Sequence, residues 1–252
     1  MKSEKKVIGV VLAGGEGKRL RPLSYYFQKC MIPIGTKQKP LLEYVICLLS
    51  HHGISDINLL VGYKHEQIEN YFGDGNRFGA KISYSYDDPS AKGTGAALLN
   101  LYNKGLVERG TSILICYGDI LSNINLTEMM AQHQESKAAA TLALARGFQV
   151  PVGVAEVKEK RVTHWVEKPE LDLLAGIGIL ALDASVLEEL RSLGRSLSEL
   201  DITKDFIPHL INKGYLVSAY ITDAFWYDVG STEKYEKLDN GVIEKHFRFI
   251  FS

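Results

Sequence analysis

Val7 to Leu12 is a short, β-branched apolar run that stops just before a pair of glycines, Gly14-Gly15. A run with no polar break reads as a strand buried on both faces, and such strands belong to parallel sheets covered by helices. The chain then repeats the theme. Pro40 to His52 reads as a helix, with proline at its start, Leu41, Leu42, Val45, Leu48 and Leu49 on one face, and Gly53 as its stop. Ile57 to Val61 is a second strand and Glu66 to Phe72 a second helix. Lys81 to Tyr86 is a third strand, and Gly93 opens a third helix. Ser112 to Cys116 is a fourth strand, ending at Gly118-Asp119. Four alternations predict an α/β fold with a mainly parallel sheet and helices on both faces.

After about residue 137 the rhythm changes. Ala138 to Ala145, Val152 to Val157, Arg161 to Val166 and Ile177 to Leu182 are strand-like, and either extend the sheet or form a small antiparallel lobe. Two helices, Ser185 to Arg191 and Thr203 to Asn212, and a strand at Tyr215 to Ile221 follow. No repeat, low-complexity stretch or linker divides the chain, so one domain over residues 1–240 with a small sub-lobe is expected. Phe247, Phe249 and Phe251 alternate in a tail at 241–252, which reads as an edge strand, a partner contact or a ragged end.

A chain of 252 residues buries enough surface to fold without staples. The balance of 29 basic against 30 acidic residues argues against a dedicated nucleic-acid binder. Cys30, Cys47 and Cys116 are odd in number and far apart, which excludes a disulfide framework or a paired zinc motif and suggests a reducing, cytoplasmic setting. The charged start, Met1 to Lys6, and the short apolar run after it suit neither a secretory signal nor a membrane span.

The segment Leu12-Ala13-Gly14-Gly15-Glu16-Gly17-Lys18-Arg19-Leu20 carries the strongest chemical signal. Glycines directly after a first buried strand let the backbone approach a ligand with its N–H groups free for anionic oxygens. Two familiar phosphate loops fit poorly. The P-loop needs Ser or Thr where Arg19 follows Lys18, and the dinucleotide fingerprint needs glycine where Leu20 stands.

The pattern GGxGxRLxPLxxxxxKxxxPI, followed by KPLLEY, resembles the opening of the sugar-1-phosphate nucleotidylyltransferases, whose members include guanylyl- and thymidylyltransferases. The match runs through Gly14, Gly15, Gly17, Arg19, Leu20, Pro22, Leu23, Lys29, Pro33, Lys39 and Pro40. It continues through Gly93-Thr94-Gly95-Ala96-Ala97-Leu98, Gly118-Asp119, Glu167-Lys168-Pro169 and Trp226-Tyr227-Asp228-Val229-Gly230-Ser231. Five ordered motifs are far more specific than any one. The resemblance implies a Rossmann-like three-layer α/β/α fold, mixed but mainly parallel, with a small antiparallel sugar-binding sub-lobe. It implies nucleotidyl transfer from a nucleoside triphosphate to a sugar 1-phosphate with release of pyrophosphate. Arg19 and Lys29 are then catalytic. Leu12, Ala13, Gly14, Gly15, Gly17, Gly93, Thr94 and Asp119 bind nucleotide. Gly153, Glu167, Lys168 and Gly176 bind the sugar phosphate, and Asp119 and Asp228 hold Mg2+. The chain departs from the family with Lys18 for Thr or Ser, Gln28 for proline, a Gly35–Lys39 loop about two residues longer, and Leu174-Ala175-Gly176 for Asn-Ala-Gly. It also ends before the hexapeptide-repeat domain of larger relatives, so no second activity is expected.

The residue types suit that chemistry on their own account. Both reactants are polyanions, and two unit charges ~4 Å apart repel by about 4 kcal/mol at an effective dielectric near 20. Arg19 offers a planar fork for departing phosphates and Lys29 a compact charge for the α-phosphate. Lys168 can hold the sugar phosphate. A sugar phosphate with a second pKa of about 6 is already an oxyanion at neutral pH, so no general base is needed. Asp119 and Asp228 close apolar runs, and magnesium favours one or two carboxylates plus phosphate oxygens and water. Lys29 reads as a surface lysine whose loss costs turnover far more than folding.

Other residues read plainly. His51 and His52 should point apart on their helix, Cys30 should be small and buried, and Tyr84 and Tyr86 alternate as strand core residues do. Asp87-Asp88 suit either a base contact or a solvated turn. The expected partners are a nucleoside triphosphate and a sugar 1-phosphate, with no nucleic acid or membrane and room for a homo-oligomer. The GTG-type segment favours GTP with a mannose- or heptose-like phosphate over dTTP or UTP with glucose 1-phosphate. A catalytically silent nucleotide-sugar-binding regulator is the reading from another class. A nucleotidyltransferase for nucleic acid or phospholipid is disfavoured by the neutral charge and the Glu167-Lys168-Pro169 segment.

Overall fold

A computed structural model describes residues 5–150, 152–171 and 173–250. Seven strands form the central sheet: β1 (Val7–Ala13), β2 (Asp56–Val61), β3 (Lys81–Tyr86), β4 (Ser112–Tyr117), β5 (Ala140–Ala145), β6 (Ala175–Asp183) and β7 (Val217–Thr222). Their order is β7-β5-β6-β4-β1-β2-β3. β1 lies between β2 and β4 with parallel register, Val10 facing Asn58 on one side and Ile115 on the other. β3 is parallel to β2, and β7 to β5. Only β6 runs against its neighbours, with Leu180 paired to Ile115 and Leu142. The sheet is thus mixed and mainly parallel, as expected.

The continuous apolar character of β1 has a direct cause. Ile8 and Val10 pack into one helical layer, while Val11 and Ala13 pack into the other. The helices are α1 (Leu41–His51), α2 (His65–Phe72), α3 (Thr94–Asn103), α4 (Leu126–Ser136), α5 (Leu187–Gly194), α6 (Ile207–Asn212), α7 (Thr232–Glu236) and α8 (Asn240–Phe247). α1 buries Leu41, Leu42, Val45, Leu48 and Leu49 on the first layer. α3 and α5 bury Leu98, Leu101, Leu187 and Leu190 on the second. Each such side chain contributes roughly 1.5–3 kcal/mol on leaving water.

The rhythm changes after residue 137 as expected: from Ala140 to Asp183 strand follows strand with no helix between them. Ahead of that break stands a helix not expected from the sequence, α4, with Leu126, Met129, Met130 and His133 buried at helical spacing. The Asn125 side chain caps its start by accepting from the Glu128 N–H at 3.1 Å. Of the four strand-like segments beyond it, two became β5 and β6 of the main sheet. The other two form an antiparallel hairpin, Val154–Lys158 with Arg161–Val166, all of it exposed.

The edge-strand reading of the tail is also corrected. Residues 240–247 are helical, Asp239 caps them, and Ile243 and Phe247 are buried. The Phe247 ring meets Tyr44 of α1 edge-on at 5.4 Å. Met1 to Glu4, Phe251 and Ser252 lie outside the described residues. No helix among the described residues is long and apolar enough to cross a membrane.

Candidate active site

The parallel strands β1 to β4 all end at one edge of the sheet, where ligands of open α/β folds usually bind. A cavity of about 850 Å3 opens there. It is lined by Leu12 and Ala13 at the end of β1, Gly14 and Gly15 from the first loop, Lys29, Gly93, Thr94 and Asp119. Eight residues expected to contact nucleotide or catalyse transfer therefore share one cavity. Gly17 and Arg19 line a smaller adjoining recess of about 380 Å3 with Lys18 and Gly230, and Glu16 and Lys29 belong to both.

The glycine loop has steric reasons for its composition. A Cβ on Gly14 would run into the Asp87 carboxylate, and Gly17 sits at φ +64°, a conformation that favours glycine. After it, Lys18–Leu20 form a 3-10 turn anchored by the fully buried Leu20.

Lys29 is held from below. The buried Gln28 donates its Nε2 to the carbonyl of Ala13 at 2.6 Å and accepts from the Cys30 N–H at 2.5 Å. Its own N–H donates to Gln67 at 2.6 Å. Gln28, a departure from the family pattern, thus ties the lysine turn to the end of β1. Cys30 is buried as expected, and burial pushes its thiol up to about 12. Lys29 itself differs from expectation. It is no surface lysine: its side chain is 17% exposed and forms an ion pair with Asp119, itself 15% exposed. The reason is placement, because the short turn Lys29–Met31 points the ammonium across the sheet edge toward the end of β4.

Asp119 and Asp228, distant in sequence, arrive side by side. Ile120–Ser122 pairs antiparallel with Trp226–Asp228, so that Asp228 faces Ile120. The Val229 N–H donates to the Asp119 carbonyl at 3.0 Å. The Asp228 carboxylate accepts from Lys234 at 2.5 Å. It also borders Gly230, where a Cβ would lie 2.7 Å from Asp228 Oδ1 and 3.2 Å from Arg19 Nη2. Arg19, Lys29, Asp119 and Asp228 therefore converge around the glycine loop from four separate stretches of chain.

The four residues expected to hold the sugar phosphate stand apart from this cavity. Gly153 and Glu167 flank the exposed hairpin, where a Cβ on Gly153 would lie 2.8 Å from Glu167 Oε2. Gly176 lies in β6 opposite Leu144. Lys168 takes a left-handed conformation at φ +48°. Together with the dominant effect of Lys237, it helps hold the Glu233 carboxyl below its ordinary pKa, which puts it on the side of α7.

Several lining residues carried no motif: Tyr63, His65, Tyr86, Tyr117 and Glu199. Tyr86 is exposed in the cavity rather than packed in the core, whereas Tyr84 does pack on the core. Asp87 and Asp88 also line the cavity, and desolvation pushes the Asp87 carboxyl up. Their signal was position, two carboxylates just beyond a parallel strand. The rings of His51 and His52 do not point apart but meet edge-on at 5.2 Å. Among the described residues no three His, Cys, Asp or Glu side chains gather as a metal cluster.

The model of the nucleotidyl transferase family matches residues 8–245. The chain is 30% identical over 257 residues to the UTP–glucose-1-phosphate uridylyltransferase of Synechocystis sp., covering 96% of this chain and 64% of that protein. It therefore spans less than two thirds of that relative's length. It is 33% identical over 235 residues to the D-glycero-alpha-D-manno-heptose 1-phosphate guanylyltransferase of Aneurinibacillus thermoaerophilus, covering 90% of this chain and 95% of that one. A solved structure from Bacillus anthracis, described as a glucose-1-phosphate thymidylyltransferase in complex with a sucrose, superposes with a TM-score of 0.74 at 23% identity, over 94% of each chain.

Proposed function

The chain belongs to the nucleotidyl transferase family, and on that premise we propose that it joins the nucleotidyl group of a nucleoside triphosphate to a sugar 1-phosphate, releasing pyrophosphate. The observation that carries this reading is the meeting of Lys29 and Asp119 in a glycine-lined cavity, with Arg19 in the adjoining recess and Asp228 on the ribbon beside Asp119. The arrangement is built to manage charge.

A phosphate oxygen of the sugar phosphate attacks the α-phosphorus, the bond from the α-phosphorus to its bridging oxygen breaks, and that oxygen leaves with pyrophosphate. The nucleophile is an oxyanion already, so catalysis consists of positioning and electrostatic stabilisation. Lys29 meets the charge that develops on the α-phosphate, and Arg19 grips the departing phosphates through its fork. Lys168 and Glu167 orient the sugar phosphate from the hairpin, with Gly153 and Gly176 leaving room for the sugar. Asp119 and Asp228 fit a divalent cation chemically, as two hard carboxylates on neighbouring strand ends beside a phosphate site. Mg2+ bound there supplies neutralising charge to the pyrophosphate. Lys29 already stands on Asp119, so bound phosphate exchanges one partner of that lysine for another.

For the substrate pair, GTP with a mannose- or heptose-like 1-phosphate is the reading supported by the Gly93-Thr94-Gly95 segment. The guanylyltransferase of comparable length described above supports it too. dTTP or UTP with glucose 1-phosphate is the alternative, favoured by the uridylyl relative. Pyrophosphate release across four nucleotides and four sugar phosphates tests both. One pair should exceed the others by at least tenfold. No release from any pair, with tight binding of a nucleotide sugar, would make the protein a silent regulator instead.

A further inference from the structure

Thr94 lines the cavity, yet the groups that hold it come from a distant strap, Glu199 to Lys204. The Leu200 N–H donates to the Lys92 carbonyl at 2.9 Å. The Leu200 carbonyl accepts from the N–H groups of Gly95 and Ala96 at 2.8 and 3.2 Å. Those amides belong to the first turn of α3 and would otherwise be open to a ligand. Gly93 sits at φ +99°, and a Cβ there would run into the Leu200 carbonyl, so loop and strap meet only through a glycine. Leu200, Ile202 and Phe206 are buried and anchor the strap in the core.

Asp201 is the centre of the contact. Its Oδ1 accepts from the Thr203 N–H at 2.8 Å, the Thr203 hydroxyl at 3.0 Å and the Lys204 N–H at 2.9 Å, capping the π-helical turn Ile202–Phe206. Its Oδ2 accepts from the Thr94 hydroxyl at 2.8 Å, and that hydroxyl accepts from the Ile202 N–H at 2.9 Å. The Thr94 proton and oxygen therefore both have assigned directions. Tyr117, another wall of the cavity, has its phenol beside the Thr94 and Thr203 hydroxyls. Burial alone would push the Asp201 carboxyl up, but the Lys204 amide, Thr94 and Thr203 outweigh it and leave it below its ordinary pKa.

Phosphates are drawn to Lys29 and to the adjoining recess that holds Arg19, which leaves the Tyr86, Gly93 and Thr94 wall to the nucleoside. We propose that Asp201 is a positioning residue for the nucleotide: by orienting Thr94 it fixes the wall against which the base and ribose rest. The proposal rests on the nucleotidyl-transfer reading for its ligand.

The test uses the nucleoside triphosphate that the wild type binds most tightly among GTP, dTTP, UTP and ATP, with Mg2+, by calorimetry and by turnover. Asp201→Asn should weaken nucleotide binding about tenfold, the scale of one charged hydrogen bond, and raise its KM likewise. Its kcat should stay within about threefold, and the KM for the sugar phosphate should not move. Thr94→Val should behave the same way, Thr94→Ser should restore wild-type binding, and Asp201→Asn with Thr94→Val should be no worse than either alone. Unchanged nucleotide affinity in either folded variant would overturn the proposal. So would losses spread evenly over kcat and both KM values, or effects that add. Should Asp201→Asn fail to fold, Thr94→Val and Thr94→Ser carry the test. Calorimetry needs no turnover, so weakened binding without activity on any sugar phosphate would sink the transfer reading and leave the positioning role standing.

Discussion

The sheet edge and the hairpin at 154–166 are two differently made halves of one candidate site. At the edge, each chemical side chain is fixed from behind: Lys29 through Gln28, Thr94 through Asp201, and Asp228 through the ribbon to Ile120. The hairpin is exposed along its whole length, with Trp165 at 59% and Val157 at 61%. A region held by buried hydrogen bonds keeps its geometry before a ligand arrives. An exposed two-stranded ribbon is marginal by itself and gains order from what it touches. On the proposed reading, nucleotide chemistry belongs to the hydrogen-bonded edge and sugar capture to the hairpin.

The largest effect should come from Lys29→Ala. Removing a positioned charge of this kind lowers kcat by about 10³-fold. It also leaves Asp119 mostly buried without its cation, so stability should fall by about 1–3 kcal/mol. Lys29→Ala with Asp119→Asn should recover most of that stability by thermal melting and none of the turnover. Recovered turnover would make the pair structural. Asp228→Asn comes next, with a loss of about 10²-fold in kcat that added Mg2+ does not repair. Its melting temperature should barely move, because its partner Lys234 is 46% exposed and such pairs contribute little.

Lys168→Ala sharpens the contrast between halves. It should raise the KM for sugar phosphate about tenfold while leaving nucleotide binding and melting temperature unchanged. A shift in nucleotide KM instead would erase the division of labour. The smallest effect is a pH dependence of the rigid half. His133 is buried between α4 and β5, and burial holds its pKa below the ordinary value. The folded state thus binds its proton more weakly than the unfolded chain does. Stability from this group is full above the unfolded pKa of about 6.5 and is lost as pH falls below it. The wild type should lose melting temperature between pH 7 and pH 5 by more than His133→Gln does.

The legibility of the sequence follows the same division. β1, β2 and β4 were readable because strands buried on both faces are nearly continuous apolar runs, and the edge strand β3 because Ile82, Tyr84 and Tyr86 alternate with polar residues. α4 was missed because its buried stripe, Leu126, Met129, Met130 and His133, is diluted by polar residues. The tail misled because Phe247, Phe249 and Phe251 mimic a strand, whereas Ile243 and Phe247, four apart, mark the buried helix face. The meeting of Asp119 with Asp228 came from the family resemblance, since no local pattern announces a pairing between distant ribbons. Gln28 and Asp201 were silent for another reason. Both act through several hydrogen bonds to backbone and hydroxyl groups, which leave no spacing to read.

Following the α-phosphate tests the central claim most directly. The protein is incubated with the preferred nucleoside triphosphate labelled at the α-phosphorus, its sugar 1-phosphate and Mg2+, and the products are separated. Nucleotidyl transfer predicts that the label appears in the nucleotide sugar while unlabelled pyrophosphate is released in equal amount. Label recovered as free nucleoside monophosphate or diphosphate, with the sugar 1-phosphate unchanged, would contradict it.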